Sequence, residues 1–548
     1  MQRDNRLLSS SLLAGLALCG ATLAACDSND GKAASAPGLE VHLYGPSGAS
    51  DPFAGVGWIR LVMTGDGLPV PFTHTVPYVA GGSGSLDGVP FSLAGQDRHL
   101  IVEGWSDAGG SPGFVVARGR ASSLEVPQGA TVQELDVLFA RVNSFLPLIS
   151  TTTKAPQQLA NARVGHAVTV TAREIVITGG GTITNSASTW WNGLGFQTIG
   201  NSIEAINLET RELGSRSQMI FPRTWHTATA LSSGQVIITG GYGADGNPTD
   251  TAELYSPPGV LGGAPAQLPK MAVPRAGHTA TLLDEGTRLM LLVGGDELGT
   301  WELWDPVSGS TQTGGAKPLP DNLARRHHQA TTFYLPGRPE PAVLITGGES
   351  PSFVHATAML YDSVARALIP VSKALPGGAR TMHSAVYVPA RGYIYVAGGF
   401  TDTLRKGALA AIDVFEVGVT AFKEDNGGFR MRTARGGHQA TLLADNLVCM
   451  AGGMGNEPPD GSALRPIASL EVVHEFIDAT TVPPSLRIEV ASSWNPNGVG
   501  QVPYLPSDRI GHRVVNLDGM ALVVGGAALE GGAGGYKMVK DLSLFNPQ

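Results

Sequence analysis

Cysteine is almost missing from this chain: three among 548 residues, at Cys19, Cys26 and Cys449. A disulfide-stapled scaffold is thereby excluded. Charge is sparse too, at 15% of residues with a net charge of −9 and no block of Lys or Arg, so nothing favours a nucleic-acid partner. Past the N-terminal segment, no run of eighteen apolar residues is present to span a bilayer. Glycine (73) and proline (37) are plentiful instead, in a mildly hydrophobic chain. That balance suits short strands joined by turns, and the length calls for two or more domains.

One arrangement recurs seven times. An Arg stands three residues before a His, a β-rich run follows, and mostly apolar residues then lead into paired glycines. The Arg/His pairs are Arg163/His166, Arg223/His226, Arg275/His278, Arg325/His328, Arg380/His383, Arg435/His438 and Arg509/His512. Their glycine pairs begin at Gly179, Gly240, Gly294, Gly347, Gly398, Gly452 and Gly525. A spacing of roughly fifty to seventy residues falls in the range of blade-type repeats. Two residues after each His comes a small or β-branched residue: Val168, Ala228, Ala280, Ala330, Ala385, Ala440, Val514. After the glycines comes a strand with a bulky residue, such as Tyr255, Trp304, Tyr361, Phe415 or Phe545. Small inner and large outer residues suit wedges that converge on an axis. The runs before the glycines are apolar at both parities, as strands covered on both faces should be.

These three signatures resemble the kelch-repeat β-propeller, over about residues 144–548. The resemblance implies an all-β chain with a seven-bladed kelch-type propeller. It leaves function open, because kelch propellers host binding proteins, isomerases and copper oxidases alike. The C-terminal DLSLFNPQ stops after a third strand, so the 144–150 segment is expected to supply the last blade's missing strand. Such closure leaves no large exposed edge.

The N-terminus reads as a targeting segment. Arg3 and Arg6 precede an apolar stretch that ends in Leu23-Ala24-Ala25-Cys26, which resembles the bacterial lipobox. That resemblance implies removal of residues 1–25 and acylation of Cys26 with fatty chains of the palmitate type. Several acyl chains anchor stably where one would not. The expected place is the cell envelope, outside the cytoplasm, with the choice of inner or outer membrane open. Residues 26–37 read as a flexible tether. Residues 38–143 carry short strands without the repeat signature and are expected to form a small β-sandwich of immunoglobulin-like or transthyretin-like type, with Trp58 and Trp105 as core aromatics.

Long loops on a rigid scaffold are where binding residues gather. The first repeat carries Trp190, Trp191 and Phe196 in such an insertion, and a later one carries Trp494 and Tyr504. Aromatic faces stack on sugars or fill interface pockets, so these five are the candidate ligand contacts. The fourteen repeat Arg and His residues read as structural, since seven copies cannot all be one active site. The adjacent His327 reads as a solvated extra imidazole. No catalytic residue, cofactor or metal site is expected. Asp245, Asn247 and Asp250 read as a polar turn, lacking the Gly and distal Glu of a calcium loop. Copper enzymes on this fold use a Tyr cross-linked to a Cys, a second Tyr and two His. Here Cys449, inside LVCMAGG, reads as an inert buried hydrophobe, so that site is not carried over. The expectation is a membrane-anchored monomer that binds a protein or a glycan. The alternative is a carbohydrate-active enzyme, similar to a sugar mutarotase or, further off, to a copper radical oxidase.

Overall fold

The computed structural model describes residues 14–18, 38–45, 51–65, 68–79, 84–85, 95–126, 132–183, 195–258, 264–424, 429–455, 464–478, 485–491, 505–530 and 535–547. Among them the chain is all-β, with no α-helix and hence none long and apolar enough to cross a membrane. It divides into two compact units, Met1–Leu146 with 518–520 and Phe545–Gln548, and Pro147–Leu517 with Ala521–Leu544.

The first unit is built on one eight-stranded sheet, where the sequence suggested a sandwich of two. Its order runs Phe72–Pro77, Trp58–Gly65, Gly95–Asp107, Pro112–Val126, Val132–Arg141, Gly38–Tyr44, Ala14–Leu18, Gly84–Ser85. The two longest strands pair with register shifts at Arg98/Leu100 and Gly104/Trp105. Such bulges bend and twist strands. A single half-barrel sheet can then curl over its own core of Val41, Ile59, Leu61, Leu100, Val102 and Phe139. Trp58 and Trp105 are not in that core. They form a half-buried cross-strand pair whose ring nitrogens donate to Asp107 and Glu103. Their polar edges explain the placement, because an indole N–H needs an acceptor. Within the segment read as a signal peptide, Ala14–Leu18 lies antiparallel to Gly38–Tyr44. An open strand edge readily accepts an apolar segment. Cys26 and the 26–37 tether lie outside the described residues.

Among the described residues the second unit holds six four-stranded antiparallel sheets. The first is Ala167–Val170, Glu174–Thr178, Ser202–Asn207 and Leu213–Gln218, in that order. Beyond the sixth, the chain continues through the strands Arg513–Leu517, Met520–Val524 and Leu542–Asn546. Second strands such as Val236–Thr239, Leu289–Val293 and Met520–Val524 are buried at every position. Their neighbours on each face are the next sheets. Val236, Ile238 and Tyr255 of the second sheet pack on Val176, Ile203 and Ala205 of the first. Met290, Leu292 and Trp304 of the third pack on Ile237 and Ala252 of the second. Each large apolar side chain buried this way stabilises by roughly 1.5–3 kcal/mol.

Each glycine pair follows directly on a second strand and has positive φ, for example Gly240 at 60° and Gly241 at 97°. Close approach adds a second requirement. A Cβ on Gly240 would stand 2.5 Å from the Arg275 carbonyl oxygen and 2.6 Å from His278 Cε1. The second glycine of each pair donates its N–H to the next repeat's Arg carbonyl: Gly180 to Arg223, Gly241 to Arg275, Gly295 to Arg325, Gly348 to Arg380, Gly399 to Arg435 and Gly453 to Arg509. Gly526 of the last repeat donates to Arg163 of the first at 3.0 Å. The first strands likewise lie side by side from sheet to sheet, and Arg513–Leu517 lies beside Ala167–Val170.

Candidate functional site

The repeat Arg side chains work within their own sheets. Arg223 donates to the Gly240 carbonyl at 2.6 Å, to Thr251 Oγ1 at 3.1 Å and to Glu253 Oε1 at 2.8 Å, and both charged groups are fully buried. Glu253 Oε2 accepts the Ile220 N–H at 2.7 Å. The same acid stands at Glu204, Glu302, Asp413 and Glu471, pairing with Arg163, Arg275, Arg380 and Arg435. Where the fourth repeat has Met359 instead, Asp321 from the preceding loop pairs with Arg325. Where the seventh has Ser543, its hydroxyl accepts from Arg509, with Asp541 at 3.5 Å. This acid, two residues before the bulky one, is a repeat signature absent from the three used above.

The repeat His side chains reach backwards to the previous sheet. Nε2 of His226 meets Thr178 Oγ1 at 2.8 Å, His278 meets Thr239 at 3.0 Å and His383 meets Thr346 at 2.8 Å. His512 Nε2 donates to the Ala451 carbonyl at 3.0 Å. Burial, with neighbouring Arg charge, holds all seven imidazoles neutral; His278 and His512 are pushed down to about 3. From His226 onward, each ring lies against the first glycine of the preceding pair.

The cavity lining gathers one residue earlier. The residue before each repeat His has a left-handed backbone: Gly165, Trp225, Gly277, His327, Met382, Gly437 and Gly511, with φ between 50° and 66°. Consecutive members are joined by backbone hydrogen bonds: Trp225 N–H to Gly165 O, Gly277 to Trp225, His327 to Gly277, Met382 to His327 and Gly437 to Met382, at 2.8–3.0 Å. Four members are glycine. Trp225, His327 and Met382 hold the same conformation with a Cβ, which costs on the order of 1 kcal/mol or more each. The left-handed backbone is thus kept at three positions that carry large side chains.

Those side chains line a cavity of about 510 Å³ to which every repeat contributes. Its wall carries Trp225, Met382, Phe400, Met454 and Ile510, and the polar groups Thr227, Thr279, Gln329, Gln439 and Arg513. The small residues expected near an axis are in the lining, among them Val168, Ala228, Ala280, Ala330 and Val514. His327 is buried and meets the Trp225 ring edge-on at 4.7 Å, so it is a wall residue rather than a solvated one. Among the described residues no Asp or Glu lines the cavity.

Two inserted hairpins stand beside this lining. Gly181–Ile183 pairs with Phe196–Ile199, and Ala527–Glu530 with Gly535–Met538. Ile183, Phe196, Tyr536 and Met538 pack in one apolar cluster with Trp225, Ile510 and Met454. Phe196, a proposed ligand contact, is thus placed in this half-buried cluster. Trp190, Trp191, Trp494 and Tyr504 lie outside the described residues. Cys449 is fully buried in the strand Val448–Ala451, and burial raises its thiol pKa. Asp245 accepts the backbone and side-chain N–H groups of Asn247, and Asp250 pairs with Lys270. Among the described residues no three His, Cys, Asp or Glu side chains group as metal ligands do.

A scan against protein-family models matches none, and a search of curated proteins finds no significant similarity.

Proposed function

We propose that this chain is a closed seven-bladed propeller of the kelch type, tethered to an envelope membrane through acylated Cys26, that binds a small ligand in its axial cavity. The observation that carries the binding role is the cavity itself. Its volume of about 510 Å³ lies in the range of small-molecule sites, and apolar walls surround a few polar groups. The seven-fold set of Gly-to-Arg seam bonds, with Gly526 to Arg163 as the seventh, supports closure. A rigid ring with a strained, pre-formed lining spends little ordering entropy on binding. A sugar ring fits such a site by stacking on Trp225 and hydrogen-bonding to the Gln and Thr side chains.

Calorimetric titration with a panel of mono- and disaccharides and their acids tests this reading. At least one is expected to bind, and Trp225→Ala is expected to weaken it about tenfold or more. Full retention of every captured ligand by Trp225→Ala would remove the cavity from consideration.

A further inference from the structure

We propose that the axial cavity selects an anion, a small molecule with a carboxylate on a ring-sized body, and that Arg513 is the residue that selects it. This rests on the cavity being the binding site. Arg513 is where the repeats stop agreeing. The residue after each repeat His is Ala167, Thr227, Thr279, Gln329, Ser384, Gln439 and then Arg513, six neutral residues and one cation. Six of the seven repeat Arg side chains meet a carboxylate at close range, and Arg509 has Asp541 at 3.5 Å. Arg513 lies in the cavity wall and pairs with no carboxylate among the described residues.

Its contacts in the protein are neutral. Nε donates to the His166 carbonyl at 3.0 Å, and Nη1 donates to Gln439 Oε1 at 3.3 Å. The guanidinium lies 5.8 Å from the centre of the Trp225 ring. A guanidinium has five N–H donors in a fixed fork. Two are used here, which leaves three, both of them on Nη2 among these. Enclosure by protein lowers its pKa to about 10, so it stays charged at neutral pH. An enclosed cation without a counter-ion is unfavourable unless a partner arrives. The fork geometry matches a carboxylate at two points. Trp225, Met382, Phe400 and Met454 can then take the apolar face of the ligand's body. Inorganic oxyanions share the charge but have no body to fill that space.

The test titrates the purified full-length chain with D-glucuronate, D-glucose and inorganic phosphate, and measures ligand-free melting of Arg513→Met. Glucuronate is expected to bind at least about tenfold more tightly than either other probe. Arg513→Gln is expected to cost it about thirtyfold while leaving glucose unchanged. Arg513→Met is expected to melt roughly 1–3 °C higher than the parent, because an uncompensated charge has gone. Equal binding of glucose and glucuronate, unaltered by Arg513→Gln, overturns the anion proposal and leaves the cavity as a site. Phosphate binding as tightly as glucuronate overturns the choice of a carboxylate ligand. If no probe binds, a higher melting point for Arg513→Met supports the uncompensated cation, and a lower one overturns it.

Discussion

Arg223→Met is expected to destabilise the protein by about 3–5 kcal/mol, because it leaves Glu253 charged, buried and alone. The carboxylate keeps only the Ile220 N–H, and the Gly240 and Thr251 carbonyls lose their donor. The pair itself contributes little, since two desolvated charges roughly cancel their mutual attraction. Removing both halves is therefore expected to be milder than removing one. Denaturant titration of Arg223→Met, Glu253→Met and the double variant checks this, with an expected coupling of about 2 kcal/mol. Arg338→Met is the control. Its bridge to Asp362 is 3.2 Å long but half-exposed, and such pairs contribute about 1 kcal/mol at most. Additive effects of the two buried changes would mean that the fork is not a unit.

Acid is expected to unfold the chain steeply between about pH 6 and pH 4. The seven repeat His side chains are neutral in the folded state, held below their ordinary pKa by burial and by Arg neighbours. In the unfolded chain each takes a proton near pH 6.5. Over this window the unfolded state binds more protons, so stability is complete above about pH 6.5 and falls as pH drops. In the fold His278 and His512 take a proton only near pH 3, and the other five only well below their ordinary value. Each imidazole contributes a slope of at most about 1.4 kcal/mol per pH unit, so seven together approach about 9 kcal/mol per unit. Denaturant midpoints at pH 7, 6 and 5 measure it. His278→Gln is expected to lower the slope by about one proton. A midpoint that stays constant from pH 7 to pH 5 would show that these imidazoles are not enclosed.

The repeat was legible because its residues act locally. Each Arg donates to the carbonyl of its own repeat's first glycine, and each second glycine donates to an Arg carbonyl one repeat on, so their spacing is printed in the chain. The acid at Glu204, Glu253, Glu302, Asp413 and Glu471 was missed because two repeats satisfy the Arg otherwise, through Asp321 and through Ser543. The cavity was less legible still. Trp225, His327 and Met382 look like random departures from glycine until their shared left-handed backbone lines them up in one hydrogen-bonded row. Arg513 stands next to a repeat His but matches no repeat pattern, and sequence reading had weighted aromatic loops above single departures. In the N-terminal unit, alternation marked the strands correctly, yet alternation is identical for two facing sheets and for one curled sheet. The bulges near Arg98 and Gly104 decide between them, and bulges leave no periodic trace.

Ring closure is the premise under the cavity, the seams and the anion site. Hydrogen exchange followed by mass spectrometry at the Gly526 amide reads it directly, since that N–H is bonded to the Arg163 carbonyl across the last seam. A closed ring is expected to protect Gly526 as strongly as Gly295 and Gly348, whose bonds span interior seams. Exchange at Gly526 orders of magnitude faster than at those two would mean that the first and last repeats part freely, and the closed propeller would be wrong.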